Sequence, residues 1–110
     1  MSRTDQVYLR DILESVEIIL NYIEHKTEFD FLNDIMLQDA VIRRFEIIGE
    51  ASAQISATFK AGAPKIQWRL MKEMRNKLAH EYFGVSIVTI YSTIKQDLPL
   101  LKQQIEDLVK

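Results

Sequence analysis

Cysteine is absent from the 110 residues, so the chain forms no disulfide, offers no thiolate nucleophile and builds no cysteine-ligated zinc site. Glycine and proline are scarce, at three and two residues, which suits a compact helical protein better than a disordered one. Histidine occurs only at His25 and His80, far apart in the chain, which makes a weak case for a metal site, and no cofactor is expected. No apolar run approaches the roughly 20 residues of a membrane span. The opening Met1-Ser2-Arg3-Thr4-Asp5-Gln6 also lacks the apolar centre of a signal peptide. The expectation is a soluble, cytoplasmic protein with no membrane partner. Strand-type alternation and internal repeats are missing too.

What remains is a chain with 47% hydrophobic and 27% charged residues, enough for one core. Residues 1–110 are read as a single helical domain. A chain this short has no room for separate catalytic and substrate domains, so an active site must be shallow or shared between copies.

The periodicity predicts an all-α, up-and-down bundle of four to five helices. A first helix runs from an N-cap at Thr4 to about His25, with Val7, Ile12, Val16, Ile19, Leu20 and Ile23 at helical spacing. Lys26 to Asn33 is a break in which Phe29, Phe31 and Leu32 pack as a short helical turn. Asp34 caps a long helix to about Thr58, whose buried stripe is Ile35, Val41, Phe45, Ile48, Ile55 and Phe59. Gly62-Ala63-Pro64 stops it, and a third helix runs from just after Pro64 to His80 or Glu81. Gly84 ends that region. Ser86 caps a stretch to about Lys95, and Asp97 with Pro99 restarts a last segment bearing Leu101, Ile105 and Leu108.

Charge is divided unevenly along the chain. Residues 1–50 carry five Lys/Arg against eleven Asp/Glu, and residues 51–110 carry nine against five. Between Lys60 and His80, six cations face the single acid Glu73. Such a field attracts a polyanion; the plainer alternative is a solvated helix face.

Within that basic stretch lies Arg75-Asn76-Lys77-Leu78-Ala79-His80-Glu81-Tyr82-Phe83. At about 100° per residue from Arg75, Ala79 falls near 40°, Lys72 near 60°, Asn76 near 100° and His80 near 140°. Leu70, Met71, Met74 and Leu78 occupy about 220° to 320°, so the wheel turns Arg75, Asn76 and His80 away from their own core. Were the polyanion RNA, its own ribose 2′-hydroxyl would serve as the nucleophile, and cleavage would need a base, an acid and cationic donors but no metal. His80 is the proton-transfer candidate, since an unperturbed imidazole titrates near about 6.5. Arg75 is a permanent fork for phosphate oxygens, and Asn76, one turn from His80, supports the imidazole or the phosphate. Arg69, Lys72 and Lys77 are candidate RNA contacts. One imidazole per site, His80, supplies one proton shuttle where the reaction wants two, which favours a homodimer with a composite site. Against this stands the ordinary role of a helix-end Arg or His as a cap or surface ion pair. Lys77 with Glu81, and Glu46 or Glu50 with Arg43 or a partner subunit, are read as structural pairs.

The pattern Arg75-x4-His80-x-Tyr82 resembles the signature of the HEPN superfamily, in particular the HepT-like toxins of HEPN/MNT toxin–antitoxin systems. The stretch Arg43-Arg44-Phe45-Glu46-Ile47-Ile48-Gly49-Glu50-Ala51 resembles the central helix of those proteins, and Ile66-Gln67-Trp68-Arg69 their lead into the motif helix. The resemblance implies a metal-independent endoribonuclease in which Arg75 and His80 are the catalytic pair. It also implies control by a cognate MNT nucleotidyltransferase antitoxin that adenylylates Tyr82. A different class stays open: a non-catalytic helical adaptor that uses the motif face to bind a nucleotidyltransferase and its nucleotide.

Overall fold

The computed structural model describes the backbone of residues 3–80 and 86–110 and the side chains of residues 4–76 and 86–110. Among the described residues there are seven helices and no strand: α1 (Arg3–Ile23), α2 (Glu28–Leu32), α3 (Ile35–Gln54), α4 (Ala57–Gly62), α5 (Trp68–His80), α6 (Ile87–Gln96) and α7 (Leu98–Glu106). The all-α class is as expected. Five of these are the anticipated long segments, α2 is the short turn expected between Lys26 and Asn33, and α4 is an addition at the end of α3.

α1 buries Leu9, Ile12, Val16, Ile19 and Ile23, a run of three- and four-residue steps that keeps one stripe against the core. Each such side chain contributes about 1.5–3 kcal/mol by leaving water. Val7 was expected in this stripe and is 45% exposed, because two residues before Leu9 it points to nearly the opposite side. Thr4 is not an N-cap either, since the helix already includes Arg3.

α3 starts where expected, with the Asp34 carboxylate accepting the Leu37 N–H at 3.0 Å. It packs chiefly against α1 and α5, through Val41, Phe45 and Ile48. It stops at Gln54, short of Thr58, because Ile55 is extended and Ser56 opens α4 by accepting the Phe59 N–H at 3.1 Å. Ser56 is itself tied to α1: its N–H and its hydroxyl each donate at 2.9 Å to the carboxylate of Asp5, which is 3% exposed. A buried carboxylate needs such donors, and the cap it orders competes with continuing the helix.

Trp68 begins α5, after a turn in which its indole N–H donates to the Ala63 carbonyl at 3.0 Å and its ring meets Phe59 edge-on at 6.3 Å. Ser86 caps α6 as expected, accepting the Val88 N–H. α7 buries Leu98, Leu101 and Ile105 and returns against α1 and α6. In α2 only Phe31 is buried, tilted against Tyr91 with centroids 5.5 Å apart. Phe29 and Leu32, expected to pack, are exposed, as is Ile35 of α3.

Candidate active site

α3 and α5 cross at Gly49. A Cβ placed there would overlap the Arg75 Cβ and stand 3.0 Å from its Cγ and 3.1 Å from the Met71 carbonyl oxygen. Gly49, a poor helix former, is therefore used to let two helices touch. This corrects the wheel reading of Arg75. Its aliphatic stem does not turn away from the bundle but lies on the backbone of α3, within about 40° of the buried Met71 on the helix circumference. The missing side chain at Gly49 widens the packed arc of α5 to include it.

The rest of Arg75 lines a groove of about 730 Å³ between α1, α3 and α5. Tyr8 and Asp11 come from α1, and Glu46, Glu50 and Gln54 from α3. Three carboxylates therefore line the same groove as Arg75. Glu46 is engaged by Arg43 at 3.6 Å, the pairing expected for it. The other ion pairs among the described residues join Arg69 to Glu73 at 2.8 Å and Lys102 to Glu106 at 3.8 Å, so no described carboxylate pairs with Arg75. The first carbons of Arg75 are fixed by packing on α3, and its guanidinium has no ion-pair partner among the described residues.

On the exposed side of α5, Lys72 precedes Arg75 by one turn and Asn76 follows it, both exposed. Lys72 has a neighbour that the sequence reading did not single out. Burial, and secondarily the positive charge of Lys72, push the Lys60 ammonium below its ordinary pKa. Lys60 also sits 5.7 Å over the Trp68 ring. Lys60, Trp68 and Lys72 therefore gather into one basic, aromatic patch. Arg69 spends part of its charge on Glu73, a well-exposed pair of small energetic value. His80 closes α5, five residues after Arg75, but its side chain and that of Lys77 lie outside the described side chains. Glu81, Tyr82 and Gly84 lie outside the described residues. His25 is exposed.

The α1 contribution of Tyr8 and Asp11 escaped the sequence reading. Their i,i+3 spacing marks a shared face, but nothing in it says which helix that face meets. Gly49 did carry a usable signal, a glycine in the middle of a long helix.

The sequence pattern of the family described as "Ribonuclease HepT-like" matches residues 12–108. The chain is 46% identical over 110 residues, the whole of both proteins, to a "Probable ribonuclease HepT" of Thermococcus cleftensis. It is 37% identical over 107 residues to a "Putative RNase" of Methanocaldococcus jannaschii, covering 96% of this chain and 98% of that one. A second protein of that organism, named "Gamma-glutamylcyclotransferase and putative RNase", is 44% identical over 105 residues, 96% of this chain but 47% of the longer relative. No solved structure matches the chain significantly.

Proposed function

The chain belongs to the HepT-like ribonuclease family, and on that premise we propose that it is a metal-independent endoribonuclease toxin with Arg75 and His80 as its catalytic pair. The observation that carries this reading is the Arg75 side chain in an open groove, with no carboxylate paired to it among the described residues and with His80 farther along the same helix.

In this reading the ribose 2′-oxygen attacks the adjacent phosphorus as an imidazole takes its proton. The bond from phosphorus to the 5′-oxygen breaks, and that oxygen receives a proton, leaving a 2′,3′-cyclic phosphate and a 5′-hydroxyl. Arg75 stabilises the charge that builds on the non-bridging oxygens, a role of about 10²–10³ in rate for a well-placed donor. His80 moves one proton, and His80 of a second copy moves the other, which makes the homodimer the working unit. Asn76 holds the imidazole or the phosphate. Lys60 and Lys72 track the RNA backbone on the outer side of α5, with Arg69 and Lys77 as further contacts. Asp11 and Glu50 repel phosphate from the α1 side and so confine the strand to the basic side. A nucleotidyltransferase antitoxin of the MNT type adenylylates Tyr82, two residues beyond His80, and the added phosphate and bulk close the cleft.

Wild type and His80→Ala, each shown to be folded by circular dichroism, are compared for RNA cleavage in chelator and for growth arrest on expression. Cleavage by wild type alone is expected. Equal cleavage by both proteins removes His80 from catalysis, and loss of wild-type activity in chelator removes the metal-independent mechanism.

A further inference from the structure

Several large apolar side chains are exposed singly, such as Val7, Val88 and Leu100, and isolated cases of this kind are ordinary. One group is different. Phe29, Leu32, Ile35 and Met36 are 74, 37, 74 and 79% exposed within eight consecutive residues where α2 turns into α3. Apolar groups concentrated at one exposed place mark an interaction surface.

The corner that carries them is tightly built. Thr27 and Asp30 form a reciprocal capping box, with the Thr27 N–H on the Asp30 carboxylate at 2.9 Å and the Asp30 N–H on the Thr27 hydroxyl at 3.1 Å. The Asn33 amide donates to the Phe29 carbonyl at 2.8 Å, and the Gln38 amide donates to the Phe31 carbonyl at 2.9 Å. Phe31 is fully buried beneath. A knob fixed in this way loses little freedom on being covered.

The surroundings identify the occupant. Residues 24–39 hold Glu24, Glu28, Asp30, Asp34 and Asp39 against the single cation Lys26. A two-fold contact with a second copy would set these carboxylates against themselves, and nucleic acid or an anionic bilayer would be repelled. We propose that the α2–α3 corner docks a different protein through a basic amphipathic segment. Its apolar ridge covers Phe29, Ile35 and Met36, and its lysines or arginines face Glu28 and Asp39. Met36 and Gly49 are 13 residues apart on α3, about 20 Å, so the corner is a surface separate from the Arg75 groove. The surface does not depend on the nuclease reading.

The probe is a synthetic 20-residue helical peptide with leucines at three- and four-residue spacing and lysine flanks, beside a twin with glutamate flanks, titrated into the full chain by calorimetry. The lysine peptide is expected to bind at least tenfold more tightly than its twin and to slow hydrogen exchange across residues 27–38. Phe29→Ser/Met36→Ser should lower that affinity at least tenfold with an unchanged Tm, and Glu28→Lys/Asp39→Lys should reverse the preference between the peptides. Equal binding by wild type and the serine variant overturns the proposal. So does sedimentation in which the serine variant alone loses its oligomeric state, which would make a second copy the occupant. Binding of the wild type to anionic vesicles through this corner overturns it as well.

Discussion

Gly49 and Arg75 occupy one packing position between them: the space that a side chain on α3 would need is filled by the first carbons of the arginine on α5. The point from which the arginine enters the groove is therefore set by the separation of two helix backbones rather than by a side-chain rotamer.

Gly49→Ala tests this directly. Alanine should gain about 1 kcal/mol in helix propensity and lose about 1–3 kcal/mol to overpacking, because its methyl meets the root of Arg75 and the Met71 carbonyl rather than a flexible tip. Urea denaturation should show equal or lower stability, while RNA cleavage falls at least tenfold under conditions where the variant is fully folded. Cleavage unchanged at full folding would mean that the arginine tolerates displacement.

Arg75→Lys keeps the charge and the aliphatic stem but loses the planar fork. Single-turnover cleavage is expected to fall about tenfold or more, against about 10²–10³ for Arg75→Ala. A lysine variant with full activity would reduce the role of Arg75 to a point charge.

Lys60→Ala and Lys72→Ala should weaken RNA binding without abolishing the chemical step, because both lie on the basic patch outside the groove. If each meets one phosphate, the slope of log affinity against log salt should shrink by about 0.7–0.9 per lost contact. Filter binding at several salt concentrations measures it, and an unchanged slope would move the RNA track elsewhere.

Tyr82→Phe removes the hydroxyl that an antitoxin would adenylylate while leaving the ring. The variant is expected to remain toxic when co-expressed with the nucleotidyltransferase, and intact mass measurement should show no added nucleotide. Normal repression of this variant would take Tyr82 out of the switch.

Ser56→Ala should cost about 2 kcal/mol or more, since it removes a helix cap and one of the hydrogen bonds that satisfy the buried Asp5 carboxylate. Ser56→Thr should recover much of that loss. Chemical denaturation of the three proteins decides it, and a loss under about 0.5 kcal/mol would show the link to be dispensable.

The long helices were legible because their buried residues keep a strict period, as Ile12, Val16, Ile19 and Ile23 do, and because Asp34 and Ser86 announce helix starts chemically. The break at Ile55 was not, since it depends on Asp5, 51 residues away, completing the surroundings of Ser56. The same limit applies at the site. Arg75, Lys72 and Asn76 could be marked on one helix, but the walls that make a groove come from α1 and α3, and helix-wheel geometry carries no information about a neighbouring helix. At the α2–α3 corner, apolar residues were assigned to the interior because local sequence cannot distinguish a side chain covered by its own fold from one left outward, as Phe31 and Phe29 illustrate.

With Arg75 as the proposed phosphate-binding group, the seam at Gly49 would make cleavage more fragile than the helices. A modest parting of α3 from α5 would leave nearly all of the backbone hydrogen bonds intact while the arginine loses its backstop, so on that proposal a copy loosened by heat or by ageing would fall silent before it melts.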